Sequence, residues 1–216
     1  MFRRVVLLVW LSSFFVGSWT GVAISQGGAQ SRTLLCFGDS LTAGYGLAKP
    51  QAFPALLQQK IDAKAWNFKT INAGLSGETS AGGLRRIDRL LRQQVDVLLL
   101  ELGVNDGLRG INPKTIYGNL QGIIDRTRRK YPQVEIIVAG MLVPPNFGRD
   151  YEAQFRDVFP RLAQANGAVL IPFLLQDVGG RPQLNLPDGI HPTAAGHQIV
   201  ANNVWKVLQP VLQSLQ

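Results

Sequence analysis

Val95-Asp96-Val97-Leu98-Leu99-Leu100-Glu101-Leu102 runs directly into Gly103-Val104-Asn105-Asp106-Gly107. The first half is nearly all apolar and does not alternate with polar residues. That pattern marks a strand covered on both faces, as in a sheet with helices packed on each side. The second half turns abruptly to glycine, amide and acid. A buried strand that empties into a polar loop is therefore the unit to seek in the rest of the chain.

The same unit recurs. Thr33 to Phe37 reads as a buried strand ending at Gly38, Phe68 to Ile71 as a shorter one, and Val134 to Ala139 and Ala168 to Phe173 as two more. Helical spacing lies between them. Phe53, Leu56, Leu57 and Ile61 share one face. Leu84, Ile87, Leu90 and Leu91 share another, with Arg85, Arg86, Arg89 and Arg92 on its solvated side. Ile116, Leu120, Ile123 and Ile124 mark a helix that ends before Pro132, with Arg126, Arg128, Arg129 and Lys130 near its end, where cations favour the macrodipole. Phe155 to Asn166 forms a further helix closed by Gly167. Thr193 is the N-cap of the last helix, which turns Ile199, Val200, Val204, Val207 and Leu208 inward. About five strands alternating with helices predict an α/β fold with a mainly parallel central sheet and right-handed crossovers. In such a sheet the active site lies beyond the C-terminal ends of the strands.

Composition narrows the class. With 216 residues, 46% hydrophobic and 17% charged, the chain is neither disordered nor too short for a core. One cysteine excludes a disulfide framework and a Cys-based zinc site. Cys36 sits in an apolar run and reads as a small buried hydrophobe. The formal charge of +8 raises nucleic acid, anionic membrane and anionic substrates as partners. Met1-Phe2-Arg3-Arg4, an apolar run from Val5 to Leu11 and the small residues at Ala23-Ile24-Ser25 read as a secretory signal cleaved near Ser25. Gly27-Gly28-Ala29 offers a second cleavage point, and an uncleaved anchor is the alternative. Residues 1–25 are thus expected to be a signal peptide and 26–216 a single domain, exported to the periplasm or beyond. Loss of Arg3 and Arg4 lowers the charge to +6. Aromatic residues do not interleave with the basic ones, which argues against nucleic acid. The residual expectation is a monomer with a solvated basic surface and peripheral contact with an anionic envelope.

Polar residues cluster where strands end: Gly38-Asp39-Ser40-Leu41, Asn72-Ala73-Gly74-Leu75-Ser76-Gly77-Glu78-Thr79, Gly103-Val104-Asn105-Asp106 and Asp188-Gly189-Ile190-His191-Pro192. A serine hydroxyl is a weak nucleophile and needs a base beside it, most often histidine. The base needs an acceptor on its other nitrogen, and Asp188 lies three residues before His191, one turn away. Acyl transfer also needs donors for the oxyanion, which Ser40 N–H, Gly77 N–H and the Asn105 amide could supply. Of the two histidines, His197 lies inside the last helix and reads as structural or surface. Asp39, Glu78 and Asp106 read as loop-holding residues.

Taken together, these blocks resemble the GDSL, or SGNH, hydrolase family. Leu41-Thr42-Ala43-Gly44-Tyr45-Gly46, Ser76-Gly77-Glu78-Thr79-Ser80, Glu101 to Gly110, Pro54-Ala55-Leu56-Leu57 and Pro145-Asn146-Phe147-Gly148 are similar to its periplasmic bacterial acyl-CoA thioesterase I, protease I and lysophospholipase L1 subgroup. The resemblance runs from about Leu34 to the C-terminus. It implies a flavodoxin-like three-layer α/β/α sandwich, no cofactor and no metal. It implies Ser40 as nucleophile, His191 as base, Asp188 as orienting acid, and an oxyanion hole of Ser40, Gly77 and Asn105. It implies esters and thioesters as substrates, lysophospholipids and aryl or acyl esters among them. Leu41, Val104, Pro145, Phe147 and Ile190 are the expected substrate-binding residues, the 141–148 loop lining an acyl groove. Val104 stands where the subgroup has a second glycine, a departure that bears on acyl-chain preference. Two other readings share the fold: an O-acetylesterase acting on envelope polysaccharide or peptidoglycan, and a non-enzymatic binding module, which the intact residue set opposes.

Overall fold

The computed structural model describes Phe2 and residues 31–216; the expected signal segment, Phe2 apart, lies outside the described residues. Five strands form one sheet: β1 Arg32–Gly38, β2 Phe68–Gly74, β3 Val97–Glu101, β4 Glu135–Ala139 and β5 Val169–Ile171. All neighbours are parallel, in the order β2-β1-β3-β4-β5. The helices are α1 Ser40–Ala43, α2 Phe53–Asp62, α3 Ser80–Leu90, α4 Val104–Gly107, α5 Pro113–Lys130, α6 Arg149–Ala165 and α7 Ala194–Ser214. α2 and α7 pack together, as do α3, α5 and α6, giving the two outer layers of an α/β/α sandwich.

The sheet is the core because its central strands carry no polar face. Leu34 to Phe37 of β1 and Val97 to Leu99 of β3 are completely buried. Cys36 is among them, and burial pushes its thiol pKa upward, so it packs as a hydrophobe. The chain leaves β1 toward β2 and then returns to place β3 on β1's other side. The loops after β1 and β3 therefore diverge at a topological switch point, where α/β sheets open a crevice.

Several elements differ from their sequence reading. β2 continues past Ile71 to Gly74, because its ladder with β1 runs to the Gly38–Gly74 pair despite polar Asn72. β5 contracts to three residues, all paired with β4. α6 begins six residues earlier than Phe155: Gly148, at φ 87°, turns the chain, and Asp150 and Glu152 complement the first turn. It also contains Pro160, a residue that ordinarily interrupts a helix. Arg92 lies beyond the end of α3, and Arg86 is not on a solvated face. Its guanidinium binds Glu78, donates to the Ala73 carbonyl at 2.9 Å and lies 4.6 Å from the centre of the Phe37 ring.

β2 is an edge strand, and a side chain satisfies part of that edge. Gln58 of α2 donates from Nε2 to the Phe68 carbonyl at 3.1 Å, and its Oε1 accepts from Thr70 N–H at 2.6 Å. One amide thus occupies two of the main-chain groups along this edge strand.

Candidate active site

Ser40 opens α1 immediately after β1. Its predecessor Asp39 caps that turn by accepting from Leu41 N–H at 3.0 Å. Gly44, at φ 76°, ends it, its N–H donating to the Ser40 carbonyl. The turn thus holds the serine at the sheet's C-terminal edge, 8% exposed.

His191 reaches it from the loop before α7. His191 Nε2 lies 2.9 Å from Ser40 Oγ, and Nδ1 lies 2.7 Å from Asp188 Oδ2. The Asp188 Oδ1 atom accepts from the backbone N–H groups of Ile190 and His191, at 2.9 and 3.0 Å. Those bonds, led by the His191 N–H and its ring, hold the Asp188 carboxyl at about 2, below the usual carboxylate range. An ionised carboxylate only accepts, so Nδ1 carries the hydrogen and Nε2 presents its lone pair to the serine. The tight loop behind this pairing is fixed by Gly189 at φ 71° and by the Leu186 N–H to His191 carbonyl bond at 2.7 Å.

Asn105 lies in α4, one turn past β3. Its Nδ2 donates to Asp39 Oδ2 at 3.1 Å and to the Glu78 carbonyl at 3.0 Å. Gly103 before it has φ 116°, a conformation that requires glycine, whereas Val104 is already helical. The position at which the subgroup differs therefore tolerates a β-branched residue. Gly77, at φ 77°, is exposed, and an added Cβ would meet nothing within 4 Å. Its glycine is demanded by the backbone dihedral and not by crowding. Asp106 holds the start of α3, accepting from Ser80 N–H at 2.7 Å and Ser80 Oγ–H at 2.6 Å.

The expected substrate-binding residues scatter. Ile190 is exposed beside His191. Leu41 is in the core, 4% exposed, and is a packing residue. Val104 also packs against the core. Pro145 and Phe147 lie in a 3-10 turn, where the Phe147 ring is 5.8 Å from the Tyr151 ring. Tyr151 in turn donates to the Ile111 carbonyl at 2.8 Å, tying the 145–147 turn to the loop after α4.

Two neighbours of the site escaped the sequence reading. The Tyr45 ring lies 4.4 Å from the His191 ring, half-exposed, forming one wall of the site. Its sequence signal is its place in the 41–46 block, five residues after Ser40. Glu101, at the end of β3, is wholly buried below Ser40. A carboxylate closing an otherwise apolar strand was that signal. His197 proves structural: it is buried, and its Nδ1 accepts from Phe53 N–H at 3.1 Å. No group of three or more potential metal ligands gathers among the described residues.

Known proteins share this arrangement of chain. The esterase TesA of Pseudomonas aeruginosa is 38% identical over 185 residues, covering 85% of this chain and 91% of that protein. Thioesterase 1/protease 1/lysophospholipase L1 of Escherichia coli K12 is 39% identical over 187 residues, covering 85% and 86%. The crystal structure of the psychrotrophic esterase EstA from Pseudoalteromonas sp., inhibited by monoethylphosphonate, superposes with a TM-score of 0.79 at 33% identity, covering 85% of this chain and all of that one. Residues 36–199 match the model of the GDSL-like lipase/acylhydrolase family. That span reaches from the first buried strand past His191, and it makes this chain a member of that family of ester hydrolases.

Proposed function

We propose that the protein is an exported serine hydrolase that cleaves carboxylic esters and thioesters through an acyl-enzyme. The observation that carries this reading is the unbroken line from Asp188 Oδ2 through His191 to Ser40 Oγ, at 2.7 and 2.9 Å. In the first half-reaction Ser40 Oγ attacks the acyl carbon while its proton passes to His191 Nε2. The tetrahedral oxyanion is received by Ser40 N–H, Gly77 N–H and the Asn105 amide. Both Asn105 hydrogens have acceptors in the free enzyme, so the oxyanion shares one of them in a three-centre bond. Collapse breaks the bond to the leaving alcohol or thiol, which takes the proton from His191. Water then attacks the acyl-serine with His191 as base, and the acid is released. Asp188 stays ionised throughout, stabilising the imidazolium without taking its proton.

The ester and thioester range is supported by the names of the relatives, which include esterase, thioesterase and lysophospholipase. Export is supported by the basic, then apolar, then small-residue order of the first 25 residues. Hydrolysis of a p-nitrophenyl acyl series, lysophospholipid and acetylated xylan tests the reading. Ser40→Ala abolishes turnover of every ester, and a fluorophosphonate forms its adduct on Ser40 alone. Asn105→Ala lowers kcat by about 10²–10³ with the fold intact. Wild-type rates in a folded Ser40→Ala variant would overturn the assignment. A preference for acetylated xylan over longer acyl esters would instead favour an envelope O-acetylesterase.

A further inference from the structure

We propose that Glu101 is a positioning residue of this site, a buried acid that fixes Asp39 and, through Asp39, the Asn105 amide on the oxyanion. The proposal rests on the acyl-transfer reading above. Glu101 ends β3 in register with Gly38 of β1, and its carboxyl is wholly buried. Oε2 accepts from Asp39 N–H at 3.2 Å and from Thr42 Oγ–H at 2.7 Å, while Oε1 has no hydrogen-bond partner. Room for it exists only because residue 38 is glycine: a Cβ there would overlap both Glu101 Oε2 and Thr42 Oγ1. Among the described residues no cation pairs with Glu101, and burial beside Asp39 raises its carboxyl pKa well above the usual range.

A leucine or methionine could fill that volume without desolvating a polar group. What the acid adds is an acceptor for the backbone of the residue preceding Ser40. Asp39 then spends its own carboxylate on Leu41 N–H and on Asn105 Nδ2, at 3.0 and 3.1 Å. A ring of contacts results. It leaves β3 at Glu101, crosses to the turn after β1 at Asp39, and returns to the β3 chain at Asn105. The separation of nucleophile and oxyanion donor is thus set by this ring and not by the loop 102–104 alone.

The test is a double-mutant cycle read in kcat and KM on a p-nitrophenyl ester. Glu101→Ala is expected to lower kcat on the order of ten- to a hundred-fold with KM little changed, as a misplaced donor would. In an Asn105→Ala background the same change costs about three-fold at most, because the group it positions is gone. Glu101→Gln, which keeps a neutral acceptor oxygen, restores kcat to within a few-fold of wild type. Equal losses from Glu101→Ala in both backgrounds would overturn the proposal and leave the acyl-transfer reading standing. So would a Glu101→Gln variant as slow as Glu101→Ala. An Asn105→Ala enzyme at wild-type rate would overturn the oxyanion reading and this proposal with it. Should Glu101→Ala fail to fold, Thr42→Val removes one donor from Oε2 at constant volume and takes its place in the cycle, with a smaller loss and the same dependence on Asn105.

Discussion

Ser40 and His191 are 151 positions apart, and each has one specific neighbour that determines its chemistry. This separation is why Ser40 and His191 were legible as residue types while their 2.9 Å contact had to come from the fold. Ser40, Asn105, Asp188 and His191 stand out because acyl transfer needs a hydroxyl, an amide, an acid and an imidazole at strand ends. Glu101 and Tyr45 carry no such demand, and only packing brings them to the site. His197 supplies a second residue-scale test. Burial lowers its pKa from about 6.5 to about 4, so the folded protein holds it neutral while the unfolded chain takes up a proton below pH 6.5. Stability from this histidine is therefore full above pH 6.5 and is lost as pH falls toward 4. Asp39 runs the other way, since burial pushes its carboxyl up to about 6 and its acid form favours the fold. Wild type alone would mix the two effects. His197→Gln can accept the same Phe53 N–H and cannot titrate. The stability of wild type relative to that variant should fall by about 3 kcal/mol between pH 7 and pH 4, measured by urea unfolding.

At the scale of elements, continuous apolar runs announced β1, β3 and β4, because strands buried on both faces cannot alternate. β2 was only half visible: Asn72 and Gly74 lack strand character and join the ladder because β1 is already in place beside them. The start of α6 was hidden because Pro145 and Gly148 signal a loop, while its continuation through Pro160 agrees with the helix expected from Phe155 to Asn166. Pro160 is exposed in mid-helix, so its ring fills no part of the core. Its missing N–H leaves the Arg156 carbonyl without the usual helical donor. Pro160→Ala should raise the thermal midpoint by about 2–4 °C per kcal/mol recovered, with kcat unchanged. A lower midpoint would show that the proline's restriction of the unfolded chain outweighs the lost bond.

For the whole molecule, the charge that first suggested nucleic acid is divided among local tasks. Arg86 anchors the loop after β2, Arg126 binds Asp88 and the Leu84 carbonyl, and Arg128 donates to the Asn166 carbonyl. Arg85, Arg89 and Arg92 are among those left to solvent. The doubly covered sheet gives the molecule its stability, yet an open sheet must finish somewhere. At β2 it finishes against the Gln58 amide, which engages Phe68 and Thr70. The bond that docks α2 therefore also denies this strand to another copy of the chain. Gln58→Ala should leave the catalytic line untouched and free two main-chain groups on the edge, the template on which sheets of separate molecules pair. Light scattering during mild heating would then rise at a temperature below that of wild type. At this edge of the sheet, one side chain thus serves both to dock a helix and to cap a strand.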